Sequence, residues 1–172
     1  MMRLMMLSLA CCALFSLVLT STARAADVPL IPREVLFGNP ERVGLTISPD
    51  GKQLAWRAPV DGVMNVWVAP VGDLAAAKPV TNDRSRGIRI YFWAYNSAQI
   101  LYLQDKGGDE NWRVYAVDLA TGKERDLTPF DDVHAQIAGV SPRHPNEILV
   151  GLNNRVPQLH DLYRLDLASG EL

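Results

Sequence analysis

Hydrophobic and polar residues alternate in short runs through most of the chain, and turns containing Gly, Pro, Asn or Asp separate these runs. Alternation with a period of two is typical of β-strands. After residue 25, helical periodicity is never longer than one turn. The proline-containing lead-in over 26–42 is expected to be extended or to form at most one helical turn, at 33–37. The pattern therefore predicts an all-β protein.

The alternating runs form three similar units, at about 43–81, 87–128 and 134–172. In each unit two strands precede a third strand that carries an aromatic residue, and a short outer strand follows. These aromatic residues, spaced 48 residues apart, are Trp67, Tyr115 and Tyr163. A repeat of short antiparallel strands at this period predicts four-stranded blades of a β-propeller. We expect the three aromatic residues to be equivalent packing positions and not a binding site.

Three blades are fewer than the four to eight of ordinary propellers, so the sequence predicts an incomplete ring. In the last unit, strands are expected at 135–140, 147–152 and 161–167, with a loop over 153–160 and an outer strand that lacks its final residues. Two blade faces would then have no neighbour, and exposed faces and strand edges promote association. We therefore expect the isolated chain to self-associate.

The first 25 residues have the layout of a cleavable secretory signal peptide. Arg3 precedes an apolar run over 4–19, and small residues at 23 and 25 flank Arg24. The run has 16 residues, which is short for a membrane-spanning helix of about 20. A retained anchor is the less favoured alternative. We expect a periplasmic or secreted protein that has no membrane attachment after cleavage.

Charge and cysteine content exclude several classes of function. Because Arg3 and Arg24 are the only charged residues before residue 26, the rest of the chain carries 15 Lys+Arg and 19 Asp+Glu, a formal charge of −4. Charges of both signs are interspersed, so no nucleic-acid surface is predicted. Cys11 and Cys12 are the only cysteines. The mature chain is therefore expected to have no disulfide and no thiolate metal site, and we predict no cofactor.

Three motifs resemble a known family. The Ser-Pro-Asp-Gly sequence at 48–51 is similar to the blade signature of TolB-like propellers and of the propeller domain in the prolyl oligopeptidase family of serine peptidases. The Gly-Asp-Glu-Asn-Trp sequence at 108–112, before Tyr-Ala-Val-Asp-Leu at 115–119, and the segment at 160–167 resemble the exported acylaminoacyl-peptidase or dipeptidyl-peptidase branch. The resemblance covers about residues 31–172.

The resemblance implies a propeller stacked on a C-terminal α/β-hydrolase domain that carries a Ser, Asp and His triad. The propeller would restrict access to that domain, so peptides would be the substrates. No triad residue can be transferred to this chain, because no serine lies in the Gly-x-Ser-x-Gly frame of a nucleophile elbow. We predict no catalytic residues and interpret the chain as a non-catalytic N-terminal propeller fragment, in which the substrate-binding residues are unknown.

Several residue groups suggest chemistry but have simpler structural interpretations. Ser141, His144 and Asp161 contain the residue types of a catalytic triad, yet they lie at blade turns where nothing orients a base. Aromatic residues suggest a ligand platform, but blade cores also require large aromatic side chains. These aromatics are Trp56, Trp67, Trp93, Trp112, Tyr102, Tyr115 and Tyr163. The basic group of Arg84, Arg86 and Arg89 is expected in a solvated loop between blades.

An acidic, glycine-rich loop follows the second strand of the second unit. Asp105, Asp109 and Glu110 offer oxygen ligands for calcium, but their spacing differs from that of an EF-hand, so no metal is predicted. A solvated hairpin whose acidic side chains bind their own backbone is the favoured interpretation. Contact of the loop over 105–110 with a peptidase domain or a substrate is a further possibility.

Two other functional classes remain open from the sequence. The chain is also consistent with a TolB-like periplasmic propeller that acts as a protein-binding scaffold. Alternatively, it is a complete three-blade protein that assembles with copies of itself. More blades followed by a Gly-x-Ser-x-Gly motif in the downstream reading frame would favour the peptidase over the scaffold.

Overall fold

The computed structural model describes residues 29–172, and the predicted signal peptide lies outside this range. The described residues up to Phe37 belong to a different unit from the body, which covers Gly38–Leu172. The lead-in contains one helical turn, α1 (Arg33–Phe37), in which the amide of Val35 donates to the carbonyl of Pro32 at 3.1 Å. Within residues 29–172, no helix has the length and apolar character needed to cross a membrane.

The body consists of three antiparallel sheets, which confirms the all-β prediction. Sheet 1 has the order β1-β2-β3-β4, sheet 2 has β5-β6-β7-β8, and sheet 3 has β9-β10-β11. The strands are β1 (Val43–Ile47), β2 (Gln53–Val60), β3 (Val63–Pro70), β4 (Lys78–Pro79), β5 (Ile90–Trp93), β6 (Gln99–Gln104), β7 (Arg113–Asp118), β8 (Glu124–Asp126), β9 (Ala135–Val140), β10 (Glu147–Val156) and β11 (Leu159–Asp166). Over residues 29–172, the sheets do not close into a ring.

The aromatic residues of the 48-residue repeat occupy the same position in the three sheets. Each one lies on the third strand, opposite a residue of the second strand. The pairs are Trp67 with Trp56, Tyr115 with Tyr102, and Tyr163 with Val150. All three repeat aromatics are half-buried, and the rings of Tyr102 and Tyr115 stack with centroids 5.1 Å apart.

The start of each new sheet is hydrogen-bonded to the sheet before it. The amide of Ile88 donates to the carbonyl of Met64 at 2.7 Å, and the amide of Ala135 donates to the carbonyl of Trp112 at 2.8 Å. Met64 and Trp112 are separated by 48 residues. The repeat therefore governs the connections between sheets as well as the strands within them.

Two cores hold the three sheets together. The first lies between sheets 1 and 2 and includes Ala55, Val66 and Ile100. The second lies between sheets 2 and 3 and includes Leu101, Val114 and Val150. Ile100 and Leu101 are adjacent on β6 but belong to different cores, because successive strand residues point to opposite faces of a sheet.

We define the front face of each sheet by one residue of its second strand and one of its third strand. The exposure of these two residues shows whether a neighbouring sheet covers the face. The second-strand residues are Ala55, Leu101 and Leu149, and the third-strand residues are Val66, Val114 and Leu162. All four front-face residues of sheets 1 and 2 are 0% exposed, whereas Leu149 is 45% and Leu162 is 68% exposed. Within the described residues, the front face of sheet 3 therefore has no covering sheet.

A buried polar residue at the start of the third strand fastens the linker that leaves each of the first two sheets. In sheet 1, Asn65 is 0% exposed and its amide makes four hydrogen bonds: Nδ2 donates to the carbonyls of Val63 (3.1 Å) and Asp83 (2.9 Å), and Oδ1 accepts from Thr81 Oγ1 and the Asp83 amide (both 2.8 Å).

In sheet 2 the position 48 residues later is Arg113, which is 6% exposed. Its guanidinium pairs with Asp126 at 3.1 Å and with Asp131 at 3.0 Å, and so it holds the linker to sheet 3. Different side chains thus perform the same structural role in sheets 1 and 2.

The predicted loop over 153–160 is wrong, because β10 extends to Val156 and β11 begins at Leu159. Polar side chains stabilise this extension of the hairpin. Arg155 binds both carboxylate oxygens of Asp161, at 2.7 and 2.8 Å, and Tyr163 donates to Asn154 at 3.0 Å. The polarity of these residues favours a loop in the sequence, but both strands are exposed there and need no apolar face.

Candidate functional site

The serine of the Ser-Pro-Asp-Gly motif is a buried part of a turn. Ser48 Oγ donates to Asp50 Oδ1 at 2.6 Å and accepts from the amide of Gln53 at 2.9 Å. This hydrogen bond to Ser48 lowers the pKa of Asp50. The amide of Asp50 in turn donates to Ser97 Oγ in the corresponding turn of sheet 2, at 3.1 Å. The motif therefore forms structure, and its hydroxyl is already occupied.

The acidic loop between β6 and β7 is organised by its own side chains. Asp109 Oδ1 accepts from the amides of Lys106 and Asn111, both at 3.1 Å, as expected for a hairpin that caps its own backbone. The side chain of Asp105 is 0% exposed, and its Oδ1 lies 3.0 Å from Arg86 Nε. A Cβ atom at Gly108 would lie 2.8 Å from Arg86 Nη1, so a larger residue would require the arginine side chain to shift, and the φ of 92° also favours glycine.

Glu110 differs from the other two acidic residues of this loop in its backbone conformation and in its contacts. Its backbone is left-handed, with φ of 60°, which is uncommon for a residue other than glycine, asparagine or aspartate. Within residues 29–172 its carboxylate makes no hydrogen bond or ion pair, but its charge acts on His134. Burial, followed by the neighbouring His160, lowers the pKa of His134, and the charge of Glu110 opposes this shift.

His134 and His160 form a pair next to this loop. Their rings meet edge to face with centroids 5.5 Å apart, and Gln136 Nε2 lies 3.1 Å from His160 Nε2. Asn153 accepts a hydrogen bond from the amide of His134 at 2.6 Å. His160 lies on β11 and not in a loop. In the described part of the chain, no group of three or more His, Cys, Asp or Glu side chains is arranged to hold a metal ion.

The three residues with triad chemistry are not brought together. Ser141 and His144 share a turn, in which the amide of His144 donates to the carbonyl of Ser141 at 3.1 Å and the His144 ring lies 3.6 Å from Glu147. Asp161 lies on β11 opposite Leu152, five residues along β10 from Glu147, which is about 16 Å in a strand. Arg155 binds the Asp161 carboxylate and lowers its pKa.

The other candidate residues belong to packing and to linkers. Trp56, Trp93 and Tyr102 are less than 10% exposed. Trp93 and Tyr102 lie in the core between sheets 1 and 2, whereas Trp56 lies in a separate buried cluster of sheet 1. Burial raises the pKa of Tyr102 far above its usual range, and the nearby Glu124 adds to this effect. Of the basic group, Arg86 is committed to Asp105, whereas the carbonyl of Arg89 accepts a hydrogen bond from Arg57.

Sequence reasoning missed Asn65 and Arg113, although both are buried polar residues with a definite role. Their separation by one repeat length was the available signal, but an asparagine and an arginine share no obvious chemistry in a sequence. The linker residues that they bind, Asp83 and Asp131, are acidic residues of ordinary turns and were equally inconspicuous.

Curated relatives of the chain are peptidases. It is 58% identical over 147 residues to dipeptidyl aminopeptidase BIII of Pseudoxanthomonas mexicana, a match covering 86% of this chain and 21% of the relative. It is 31% identical over 152 residues to dipeptidyl peptidase family member 6 of Caenorhabditis elegans, covering 84% and 20%. The chain thus spans about a fifth of the length of these relatives. No protein-family model matches the sequence.

Solved structures with the same fold include peptidases and TolB proteins. Acylaminoacyl peptidase of Pyrococcus horikoshii matches with a TM-score of 0.53 at 19% identity, over 77% of this chain and 24% of that one. TolB of Acinetobacter baumannii matches with a TM-score of 0.51 at 15% identity, over 76% and 31%. These structural likenesses establish the propeller fold. Together with the sequence relatives, they confirm that the chain is related to the propeller segment of the prolyl oligopeptidase family of serine peptidases.

Proposed function

We propose that this chain is the non-catalytic propeller segment of an exported serine peptidase, in which it restricts the access of peptides to a separate hydrolase domain. The observation that carries the proposal is the 58% identity to a dipeptidyl aminopeptidase, together with the three-sheet propeller architecture of the matching segment. Export rests on the signal-like sequence over 1–25.

The chemistry of the described residues supports a segment that limits substrate access and not a reaction centre. Ser141 and His144 share a turn, Asp161 lies on β11, and the hydroxyl of Ser48 is used inside its own turn. Packed sheets without a positioned nucleophile restrict substrates by size and shape. The proposed contribution of this segment is therefore selection among peptides, with bond cleavage carried out elsewhere.

The isolated chain is expected to hydrolyse no peptide or ester. The test is an assay of the purified chain with a chromogenic dipeptidyl amide and a nitrophenyl ester, in the presence and absence of a serine-directed inhibitor. Because no serine has the frame of a nucleophile elbow, turnover should equal the buffer background. Turnover that the inhibitor abolishes would contradict the non-catalytic assignment.

The access role can be tested in a hybrid enzyme. The segment of the Pseudoxanthomonas dipeptidyl aminopeptidase that matches this chain is replaced by residues 26–172. The hybrid should cleave dipeptidyl amides and keep the parent enzyme's preference for short peptides over a long unfolded protein. A folded, active hybrid whose preference for short peptides disappears would contradict the access role of the segment, whereas an inactive folded hybrid would contradict its equivalence to the peptidase propeller.

The scaffold alternative has weaker support. The TolB likeness is at 15% identity and shows the fold alone, whereas the peptidase likeness extends to the sequence. A scaffold would bind a periplasmic protein stoichiometrically through this chain. Failure of the hybrid enzyme together with such a complex would favour the scaffold.

A further inference from the structure

The contact between His134 and His160 joins the linker that enters sheet 3 to the third strand of that sheet. His134 directly precedes β9, and His160 lies on β11. Their rings meet edge to face, with an interplanar angle of 85° and centroids 5.5 Å apart. This arrangement is favourable because the positive edge of one ring meets the negative face of the other. Two imidazolium rings would repel each other, so the contact requires at least one neutral histidine.

His160 is held in place from a neighbouring strand. Gln136 Nε2 lies 3.1 Å from His160 Nε2, although β10 runs between the strands that carry these two residues. Gly151 of β10 lies between the two side chains. A Cβ atom at that position would lie 3.4 Å from His160 Cβ and 3.9 Å from Gln136 Cβ. The glycine therefore leaves the room that the contact across β10 uses.

His134 has a fixed backbone and a ring on which two charged neighbours act in opposite directions. Its amide donates to Asn153 Oδ1 at 2.6 Å, so rotation of the side chain does not require the backbone to move. Burial and, to a smaller extent, His160 lower the pKa of His134, whereas Glu110 raises it. His160 therefore favours the neutral ring, and Glu110 favours the protonated ring.

Glu110 comes from a different sheet, on the loop between β6 and β7. The residues around it are fixed, because Asp109 Oδ1 accepts from the amides of Lys106 and Asn111. Within residues 29–172 the carboxylate of Glu110 makes no hydrogen bond or ion pair, and its backbone has a φ of 60°. A side chain held in an uncommon backbone conformation without a partner suggests a second arrangement in which it has one.

The other charged groups near the pair have partners of their own or leave the pKa of His134 unchanged. Asp131 pairs with Arg113, Asp105 with Arg86, and Asp161 with Arg155. The remaining charged residues on the loop and the linker are Lys106, Asp109 and Asp132. Of all these neighbours, His160 and Glu110 are the ones whose charges shift the pKa of His134.

We propose that His134 changes partner with pH: as a neutral imidazole it packs on His160, and as an imidazolium it pairs with Glu110. The ion pair would connect the loop over 105–111 of sheet 2 to the linker of sheet 3. A glutamate is ordinarily ionised at about pH 5–6. Because the pKa of His134 is held below its ordinary value of 6.5, the ion pair forms only in mildly acidic solution. At neutral pH the carboxylate of Glu110 is released.

The test is an NMR titration of the 172-residue chain, followed on the ring protons of His134 and on the side-chain carboxyl carbon of Glu110. The Glu110 signal should shift as His134 is protonated, and again when Glu110 itself is protonated. Glu110→Gln should lower the pKa of His134, because it removes the attracting charge. His160→Phe keeps a ring on β11 but removes the repelling charge, so it should raise the pKa of His134.

His144→Gln is the matched control. His144 lies in a turn, 3.6 Å from Glu147, and its removal should leave the pKa of His134 unchanged. The amide spectrum of each variant shows whether the fold is retained. Glu110→Gln removes no bond within the described residues, so the decisive variant should keep the fold. An unchanged pKa of His134 in a folded Glu110→Gln variant would overturn the proposal.

Nuclear Overhauser contacts distinguish a change of partner from titration in place. At about pH 7.5, where a histidine is ordinarily neutral, the ring protons of His134 and His160 should be in contact. Near pH 5.5, where the glutamate is still ionised, contacts between the His134 ring and the Glu110 side chain should replace them. These acidic contacts should be missing in Glu110→Gln. If His134 keeps only its contact with His160 over the whole range, the partner change is refuted.

Discussion

Replacement of Asn65 by alanine should destabilise the body far more than an ordinary polar substitution. The side chain makes four hydrogen bonds, and its removal leaves the amide and carbonyl of Asp83 without these partners in a partly buried linker. Each backbone group that loses its hydrogen-bond partner costs about 1–3 kcal/mol when water does not replace that partner. Because Asp83 is only half-buried, we take values near the lower end and expect a loss of about 3 kcal/mol in the free energy of unfolding.

Urea unfolding followed by tryptophan fluorescence measures this loss. With a slope of about 2 kcal/mol per molar urea, the midpoint should fall by roughly 1.5 M. Asn154→Ala is the matched control, because Asn154 is exposed and makes a single hydrogen bond, to Tyr163. It should cost about 0.5 kcal/mol or less. If Asn65→Ala shifts the midpoint no more than this control, the linker is not fastened by Asn65.

Three further predictions follow from the repeat. Ser48→Ala should cost about 1–2 kcal/mol in urea unfolding, because the buried turn loses its side-chain acceptor; an unchanged midpoint would refute this. Leu101→Ala should lower the free energy of unfolding by about 3 kcal/mol. The counterpart substitution Leu149→Ala should lower it by under about 1 kcal/mol, because Leu149 is 45% exposed. Equal losses would show that the front face of sheet 3 is covered. The hydrogen bonds from Thr121 lower the pKa of Asp118. These hydrogen bonds therefore stabilise the folded state at pH values above the ordinary aspartate pKa, and the stabilisation is lost as the pH falls through the lowered pKa. NMR titration should show a higher Asp118 pKa in Thr121→Val, and an unchanged value would contradict this origin.

The fold was predictable from sequence because its strands repeat at a fixed spacing. Trp67, Tyr115 and Tyr163 are recognisable without any structure, since large aromatic residues stand out in short strands. Register follows from the same spacing, because a one-residue slip would reverse the faces of a strand. The sequence therefore predicted both the class of the fold and the equivalence of its units.

The residues that fasten the linkers were not predictable in the same way. Asn65 and Arg113 occupy one structural position, but an amide and a guanidinium satisfy it through different partners. The extension of β10 was missed for a related reason. Arg155 and Asp161 stabilise an exposed hairpin through a bidentate ion pair, which a search for alternating apolar residues does not detect.

The candidate site was only partly predictable. The acidic residues of the loop after β6 were identified, but their different roles depend on three-dimensional neighbours: Arg86 engages Asp105, whereas Asp109 binds the loop backbone. The left-handed backbone of Glu110 has no sequence signal, because glutamate rarely adopts it.

The position of sheet 2 between two cores has a consequence for the order in which the body opens. Sheets 1 and 3 each have one packed neighbour within the described residues, whereas sheet 2 is packed on both faces. In arrays whose units contact only adjacent units, loss of structure spreads inward from the ends. Fraying should therefore begin in the outer sheets, and the amides of β6 should be the last to exchange with deuterium.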